Sequence, residues 1–282
     1  MTNTAISVSD LSKKYDDRLA VSHINFEVPL GTVCGFVGPN GSGKTTTMRM
    51  LLGLITPTTG QGHILGEPIE HPERYLSRVG AMIEGPAFYP ALSGHENLMV
   101  LARLGGFPVE RVQTLLEKVG LGERGKSKYK TYSLGMKQRL GIAAALLPEP
   151  KLLMLDEPTN GLDPQGIHQI REIIKGIAQK GTTILLASHL LDEVEKVCTH
   201  VVVLRKGKKL YAGRVDEMIS SYGFFELKSS ETSKLIEFIE KHPKISHHKQ
   251  EDSLITAFLS APLSAEDLIQ KLFEKRIIVT HF

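Results

Sequence analysis

Three short stretches of the chain are predominantly apolar instead of alternating between apolar and polar positions. They cover residues 33–37, 152–155 and 182–187. Strands buried on both faces of a parallel sheet have this pattern, because neither face meets water. We therefore predict a parallel α/β core, and the carboxyl ends of its strands are where such sheets bind ligands.

A different pattern flanks the first of these strands. Ala5–Val8, His23–Val28 and Gly62–Leu65 are short strand-like runs, and turn-forming residues such as residues 56–60 bound them. Short runs between Gly, Pro and Thr clusters are typical of hairpins and meanders. They predict an antiparallel β layer beside the parallel core.

Apolar residues recur with helical spacing from about residue 92 to residue 147. This period predicts a helical lobe, about residues 85–150, inserted into the core. The parallel core then resumes. A last strand pair, Val201–Leu204 and Lys209–Ala212, flanks a turn at Gly207 and ends the first domain, residues 1–215.

Residues 216–282 are predicted to form a second, small α+β domain. Thr232–Lys241 places apolar residues on one helix face, and Ser264 followed by Asp267 is typical of a capped helix start. With short strands around Ile245 and Leu254, the order strand, helix, strand, strand, helix, strand suggests a ferredoxin-like unit. Four histidines here are spaced irregularly, which favours surface positions over a metal site: His242, His247, His248 and His281.

A phosphate-binding loop directly follows the first core strand, where residues 38–45 match G-x-x-x-x-G-K-[ST]. In such a P-loop, backbone N–H groups converge on phosphate oxygens, Lys44 adds positive charge, and the Thr45 hydroxyl is placed for Mg²⁺. The helix starting near Lys44 adds the positive end of its dipole. A Gly-rich turn without ligand is the alternative, and kinases, GTPases, motor ATPases and transport ATPases all share the loop. The predicted nucleotide contacts are Gly38, Pro39, Asn40, Gly41, Ser42, Gly43, Lys44, Thr45 and Thr46.

Two carboxylates end the second core strand. Asp156 and Glu157 follow an apolar run and precede Pro158, so we expect them at the ligand-binding edge of the sheet. There Asp156 is predicted to hold Mg²⁺, and Glu157 to orient or deprotonate the water that attacks the γ-phosphate. The alternative is a strand followed by an acidic helix cap, which the P-loop disfavours.

A third motif lies in the chain between the P-loop and the two carboxylates. Ser133 is a natural N-cap for a helix that runs toward Leu147, and we expect this helix to be amphipathic. Gly135 has no Cβ at its position in the first turn. A helix N-terminus open in this way offers a second grip on phosphate. An ordinary capped helix is the simpler interpretation of these residues alone.

The ordered set of motifs resembles the nucleotide-binding subunit of an ATP-binding-cassette (ABC) transporter. The family signature Leu-Ser-Gly-Gly-Gln corresponds here to Tyr132-Ser133-Leu134-Gly135-Met136, which keeps the serine and the second glycine and differs at three of five positions. The resemblance implies ATP and Mg²⁺ as cofactors. It also implies a dimer in which each ATP lies between the P-loop of one subunit and Ser133 and Gly135 of the other.

The resemblance assigns roles to three further residues. His189 follows the third core strand and corresponds to the family's switch histidine, which contacts the γ-phosphate. Tyr15 corresponds to the aromatic residue that stacks on adenine, although packing in the core is an alternative for it. Asp163, in Asn160-Gly161-Leu162-Asp163, corresponds to the D-loop.

Glu84 departs from the common ABC pattern, which has glutamine at this place. A carboxylate here resembles the bacitracin-resistance and lantibiotic-immunity subgroup, which implies a peptide or antibiotic cargo. In the family this residue contacts the metal and lies beside the membrane partner. A carboxylate binds Mg²⁺ more strongly than an amide but repels the γ-phosphate, and a loop acid unrelated to metal is the alternative.

Composition narrows the class of partner. Lys and Arg number 34 against 31 Asp and Glu, a net charge of +3, so no general field for nucleic acid is expected. Two cysteines and the lack of an apolar leader or span predict an intracellular chain without disulfides. We expect it at the cytoplasmic face of the membrane, bound to a separate transmembrane permease.

The combined prediction is an ATPase that powers export of antimicrobial or amphipathic peptides. A soluble ABC ATPase acting on the ribosome or DNA is an alternative of a different class. Such proteins usually carry two cassettes or long coiled coils, and this chain has one set of motifs without sustained heptads. An importer ATPase with the same chemistry is the third interpretation.

Overall fold

A computed structural model describes residues 3–85, 87–220, 223–251, 253–259 and 263–281. The chain divides into two compact units, Met1–Ala212 and Gly213–Phe282. Among the described residues, no helix is both long enough and apolar enough to cross a membrane.

The strands of the first unit form two sheets. In chain order they are β1 (Thr4–Tyr15), β2 (Arg18–Pro29), β3 (Val33–Val37), β4 (Thr59–Ile64), β5 (Glu67–Pro68), β6 (Val79–Met82), β7 (Leu152–Asp156), β8 (Thr183–Ser188), β9 (His200–Arg205) and β10 (Lys208–Arg214). The helices are α1 (Lys44–Leu51), α2 (Gly94–Gly105), α3 (Arg111–Lys118), α4 (Leu134–Ala145), α5 (Pro164–Ala178) and α6 (Leu191–Glu195), with 3₁₀ turns at Pro72–Arg74, Leu76–Arg78 and Tyr129–Thr131.

The larger sheet has the order β10-β9-β3-β8-β7-β6. Every residue of β3, β7 and β8 is buried, as their apolar runs predict. The parallel register places Val37 level with Ser188, and Asp156 level with Ala187. The loops that follow β3, β7 and β8 therefore leave the sheet side by side.

The antiparallel layer has the order β2-β1-β4-β5. Its first two strands extend beyond the predicted runs, because β1 continues past Val8 through a register shift. Asp10 and His23 have positive φ there, 54° and 50°, which is typical of a bulge that bends a strand without ending it. The predicted fold class, a parallel P-loop core with an antiparallel layer and helical lobe, is confirmed.

Helix α4 of the helical lobe is not amphipathic along its length, so that expectation was wrong. Leu134 is exposed and the next three residues are partly buried, whereas nearly all residues from Leu140 onward are buried. The reason is tertiary, since α4 packs against β6 on one side and against α2 and α3 on others. A Cβ on Gly80 of β6 would lie 1.9 Å from the Ala145 carbonyl oxygen.

The hairpin between β9 and β10 turns at Lys206 and Gly207, with φ of 50° and 77°. Positive φ at both central residues is the type I′ geometry that suits a two-residue hairpin. The Gly207 N–H donates to the Ser42 carbonyl oxygen at 3.1 Å, and the Gly207 carbonyl accepts from the Ser22 N–H at 2.8 Å. The turn thus supports the loop that precedes α1.

The second unit contains α7 (Val215–Ser220), β11 (Phe224–Ser229), α8 (Thr232–Lys241), β12 (Ile245–Glu251), β13 (Leu254–Leu259), α9 (Ala265–Glu274) and β14 (Val279–His281). The sheet order is β12-β13-β11-β14, and neighbouring strands are antiparallel. After α7 the order is β-α-β-β-α-β, which is that of a split βαβ arrangement.

The core of the second unit is built from its helices and one sheet face, and includes Leu227, Leu235, Ile255 and Leu268. His242, which we expected at the surface, is buried instead. Its ring packs against Phe238 at 5.5 Å between centroids, because it directly follows α8 and closes the end of that helix over the core. Burial lowers the pKa of His242, with nearby Lys271 and Lys244 adding to the effect.

Candidate active site

The P-loop connects β3 to α1 and borders a cavity of about 600 Å³. Gly41 and Gly43 have φ of 76° and 104°, in the left-handed region that glycine adopts without strain. A Cβ on Gly38 would lie 2.2 Å from the Leu204 carbonyl oxygen, so the loop packs closely on β9. The cavity is lined by Arg18, Leu19, Ala20, Pro39, Asn40, Gly41, Ser42, Gly43, Lys44, Thr45, Thr46, Glu157, Arg205 and Lys206.

Lys44 is buried although it is charged, with 5% of its side chain exposed. Its Nζ donates to the Gly38 carbonyl at 2.7 Å and to the Pro39 carbonyl at 3.4 Å, and lies 3.2 Å from Glu157 Oε1. The contact with Glu157 has the distance of an ion pair, while the directed hydrogen bonds go to the loop carbonyls. A poorly hydrated ammonium at the end of this loop is a strong site for phosphate oxygens.

Thr45 and Asp156 meet across the site, although they are 111 residues apart. The Thr45 hydroxyl donates to Asp156 Oδ2 at 2.7 Å. The other oxygen, Oδ1, is buried and has no hydrogen-bond partner among the described residues. Burial raises the pKa of Asp156; the Thr45 hydrogen bond opposes this, and Glu157 adds to it.

Glu157 is held from two sides. One carboxylate oxygen faces Lys44, and the other lies 2.8 Å from His189 Nδ1. The Glu157 backbone has φ of 48°, and its N–H donates to the Ala187 carbonyl at 3.0 Å. Left-handed backbone at a residue other than glycine is typical of strained functional positions.

Ser133 and Asp163 both act as helix caps. The Ser133 Oγ accepts from the Met136 N–H at 3.3 Å, and Asp163 Oδ1 accepts from the Gly166 N–H at 2.9 Å. At Gly135, a Cβ would meet only Leu162 Cδ2, at 3.8 Å, which is an ordinary contact. Packing inside this chain therefore does not require glycine there. The P-loop cavity does not include Ser133, Gly135 or Asp163 in its lining.

Tyr15 is the last residue of β1. Its side chain is 44% exposed, and Lys13 Nζ lies 5.2 Å from the ring centroid. A half-exposed aromatic ring is not a core residue, and a cation over its face is a favourable contact. Tyr15 does not line the P-loop cavity.

Glu84 forms an ion pair with Arg49 of α1. Glu84 has φ of 60°, and it lines a second cavity, of about 750 Å³, together with Asp156, Glu157 and Leu134. Arg49 was not among the predicted site residues. Its position four residues after Thr45 is a signal that could have found it, because residues four apart share a helix face.

Arg18 and Lys206 were also missed. Both line the P-loop cavity, and both are cations at the edge of a phosphate-binding loop. Their approach depends on the β9–β10 hairpin docking beside β2, for which the local sequence has no signal beyond the Lys206-Gly207 turn.

A P-loop after β3, two carboxylates at the end of β7 and a histidine after β8, which lies between those two strands, define a P-loop nucleoside triphosphatase. Residues 21–160 match the family model described as ABC transporter. The chain is 40% identical over 276 residues to the bacitracin transport ATP-binding protein BcrA of Bacillus licheniformis, covering 96% of this chain and 90% of that protein. The chain therefore belongs to the ABC transporter family, as an ATP-binding and ATP-hydrolysing protein.

Two further comparisons agree with this assignment. The lantibiotic transport ATP-binding protein SrtF of Streptococcus pyogenes is 41% identical over 227 residues, which cover 78% of this chain and 98% of SrtF. The structure of cbiO1 from Clostridium perfringens, part of the ABC transporter complex cbiONQ, matches with a TM-score of 0.70 and 27% identity. That match covers 77% of this chain and 91% of cbiO1.

Proposed function

We propose that this chain hydrolyses ATP to drive a separate membrane permease that exports antimicrobial or amphipathic peptides or antibiotics. The placement of Glu157 between Lys44 Nζ and His189 Nδ1 carries the catalytic part of the proposal. The cargo is proposed from the names of the bacitracin and lantibiotic transport proteins, which match most of this chain. Bound to the permease, the chain would lie at the cytoplasmic face of the membrane.

The residue roles follow from the contacts. Lys44 and the backbone N–H groups of residues 40–46 would bind the phosphates, since α1 begins at the loop with its positive end. Glu157 would orient and accept a proton from the attacking water, and His189 would hold that carboxylate and the γ-phosphate in place. Tyr15, with its exposed ring, would stack on the adenine.

The donor set fits Mg²⁺. Thr45 and Asp156 present a hydroxyl and a carboxylate, the hard oxygen ligands that Mg²⁺ prefers. The buried Asp156 Oδ1 has no hydrogen-bond partner among the described residues, and it would be satisfied by binding the metal ion. A bound Mg²⁺ would neutralise negative charge on the phosphates. Glu84 would supply a further oxygen ligand beside Asp156, while its carboxylate also pairs with Arg49.

A second copy of this chain, or a close paralogue, would complete the site. At the start of α4, Ser133 and Leu134 are exposed, and Gly135 is not required by packing within the chain. A capped helix start with a partly exposed glycine suits the approach of phosphate from another subunit. Ser133, Gly135 and Asp163 would make these contacts across the dimer.

Glu84 is proposed to link nucleotide state to the permease, because it pairs with the P-loop helix and lines the cavity that contains Asp156. We expect Glu84→Ala to leave ATP binding by the isolated chain largely intact and to lower transport more than ATP hydrolysis. Coupling requires that two sites bias each other's states. The measurement is peptide efflux per ATP hydrolysed in vesicles reconstituted with the permease.

The controls for that experiment separate charge from shape. Glu84→Gln restores the common family residue, and Glu27→Ala removes an exposed acid of β2. Unchanged stoichiometry in both Glu84 variants would refute the coupling role. The permease should co-purify with the chain and contain about six spans of roughly 20 apolar residues. Co-purification with ribosomes instead would refute the transport role.

A further inference from the structure

Helix α6 follows His189 closely in the chain, and the sequence of α6 alone does not hold this helix in place. It has only five residues, and its N-cap, Leu190, makes no side-chain cap hydrogen bond. A helix this short has little stability by itself, because the entropy cost of nucleation exceeds the stabilisation from the hydrogen bonds of one turn. Its position must therefore be set by contacts with other elements.

One contact is an ion pair with α5. Arg171 Nη2 donates to both carboxylate oxygens of Glu193, at 3.0 and 2.8 Å. The two side chains are 17% and 14% exposed, so water and salt screen this pair less than an exposed one. The other cation near Glu193, Lys196, lies 4.0 Å away and is 53% exposed.

The second contact is made by the next residue of α6, Val194. Val194 is completely buried, and a Cβ added to Gly35 of β3 would lie 2.2 Å from its Cγ1. β3 leads directly into the P-loop. Val194 fixes how close α6 lies to β3, while Glu193 fixes its direction toward α5.

We propose that Arg171 and Glu193 are positioning residues for His189, holding α6 so that His189 Nδ1 stays on Glu157 Oε2. The inference rests on the proposed role of His189 in hydrolysis. When one partner is removed, the other is a poorly hydrated charge, and the segment that carries it shifts to reach water. Because α6 begins two residues after His189, such a shift displaces the imidazole.

The test uses Glu193→Gln and Arg171→Lys in the full chain. We expect kcat for ATP hydrolysis to fall about fivefold or more, because small displacements of a reacting group are costly. The Kd for ATP should stay within about twofold, because neither residue lines the P-loop cavity. The matched control is Glu172→Gln, which breaks the exposed Lys175–Glu172 pair on the same helix and should leave kcat unchanged.

A double-mutant comparison distinguishes positioning from a general loss of stability. In a His189→Ala background, Glu193→Gln should lower kcat little further, because the residue it positions is gone. The charge-reversed variant Arg171→Glu/Glu193→Arg should recover part of kcat. An equal additional loss in the His189→Ala background would overturn the positioning role.

Two results distinguish failure of the positioning role from failure of the proposed role of His189. Normal turnover of His189→Ala would refute the role of His189 itself. Impaired His189→Ala together with normal turnover of both Glu193→Gln and Arg171→Lys would refute only the positioning role. Circular dichroism checks that each variant is folded, and Arg171→Lys retains a charge for Glu193 if Glu193→Gln does not fold.

Discussion

Glu157 shows how one residue depends on contacts from three strand ends. Its carboxylate lies between Lys44, after β3, and His189, after β8. Glu157→Gln keeps an oxygen and the shape of the side chain but cannot accept a proton from water. We expect turnover to fall by about 10²-fold or more with ATP binding retained, measured by single-turnover hydrolysis and by equilibrium binding.

The Glu157→Gln variant should also accumulate as an ATP-bound dimer, which size-exclusion chromatography would show. Lys44→Ala is the contrasting variant, since it should lose nucleotide affinity itself. Near-normal hydrolysis by Glu157→Gln would show that another group activates the water.

Asp156 is expected to reduce stability while it serves function. Burial raises its folded-state pKa, so the folded protein binds this proton more tightly than the unfolded chain. Its favourable contribution is present below the ordinary carboxyl pKa and is lost as pH rises through the raised one. Without nucleotide at pH 7, Asp156→Asn should therefore unfold at a higher temperature than the unsubstituted chain.

The advantage of Asp156→Asn should shrink as pH falls through the raised pKa of Asp156, because the wild-type carboxyl then takes up its proton. Thermal unfolding from pH 4 to pH 7 measures this dependence. Asp17→Asn, which removes a fully exposed charge, should show no comparable change. A difference independent of pH would mean that the buried charge is not the cause.

At the scale of elements, the approach of α6 to β3 determines which residue position 35 tolerates. Gly35→Ala would place a methyl group 2.2 Å from Val194 Cγ1, so α6 or β3 must shift. Overpacking of this kind costs about 1–3 kcal/mol, which chemical denaturation would detect. ATP hydrolysis should fall as well, because α6 carries the His189 segment.

Gly176→Ala is the control for Gly35→Ala. Gly176 lies in α5, with no atom within 4 Å of an added Cβ, so alanine there should be neutral or stabilising by up to about 1 kcal/mol. Gly35→Ala/Val194→Ala should recover part of the lost stability, since the clashing methyl is removed. No recovery would mean that the strain lies elsewhere.

At the scale of the whole molecule, the two compact units allow their roles to be separated. The residues that line the P-loop cavity lie between Arg18 and Lys206, within the unit Met1–Ala212. We predict that a chain ending at Asp216 still binds ATP, because it keeps every residue that lines the P-loop cavity. Calorimetry or fluorescence titration measures it.

A folded truncated chain without nucleotide affinity would contradict this prediction, and circular dichroism establishes whether it is folded. If residues 216–282 regulate or assist dimerisation, their removal should alter dimer formation or permease-stimulated hydrolysis. The unit's own hydrophobic core, around Leu227 and Leu268, supports treating it as a separate part.

The sequence by itself determined the features that depend on neighbouring residues. The P-loop pattern, the capped start of α4 at Ser133 and the apolar runs of β3, β7 and β8 are local, and their periods predict their structure. The common edge of the sheet followed from them, because parallel strands end on the same side. Lys44, Asp156 and Glu157 could be placed at one site on this basis.

Only the tertiary structure decided which distant side chains meet. Arg171 forms an ion pair with Glu193, and Arg49 forms one with Glu84. Val194 packs so closely on β3 that position 35 requires glycine. The same holds for burial, since α4 is covered by elements from both sides and His242 by the end of its helix. Hydrophobic period describes one element at a time, whereas these contacts depend on how elements pack together.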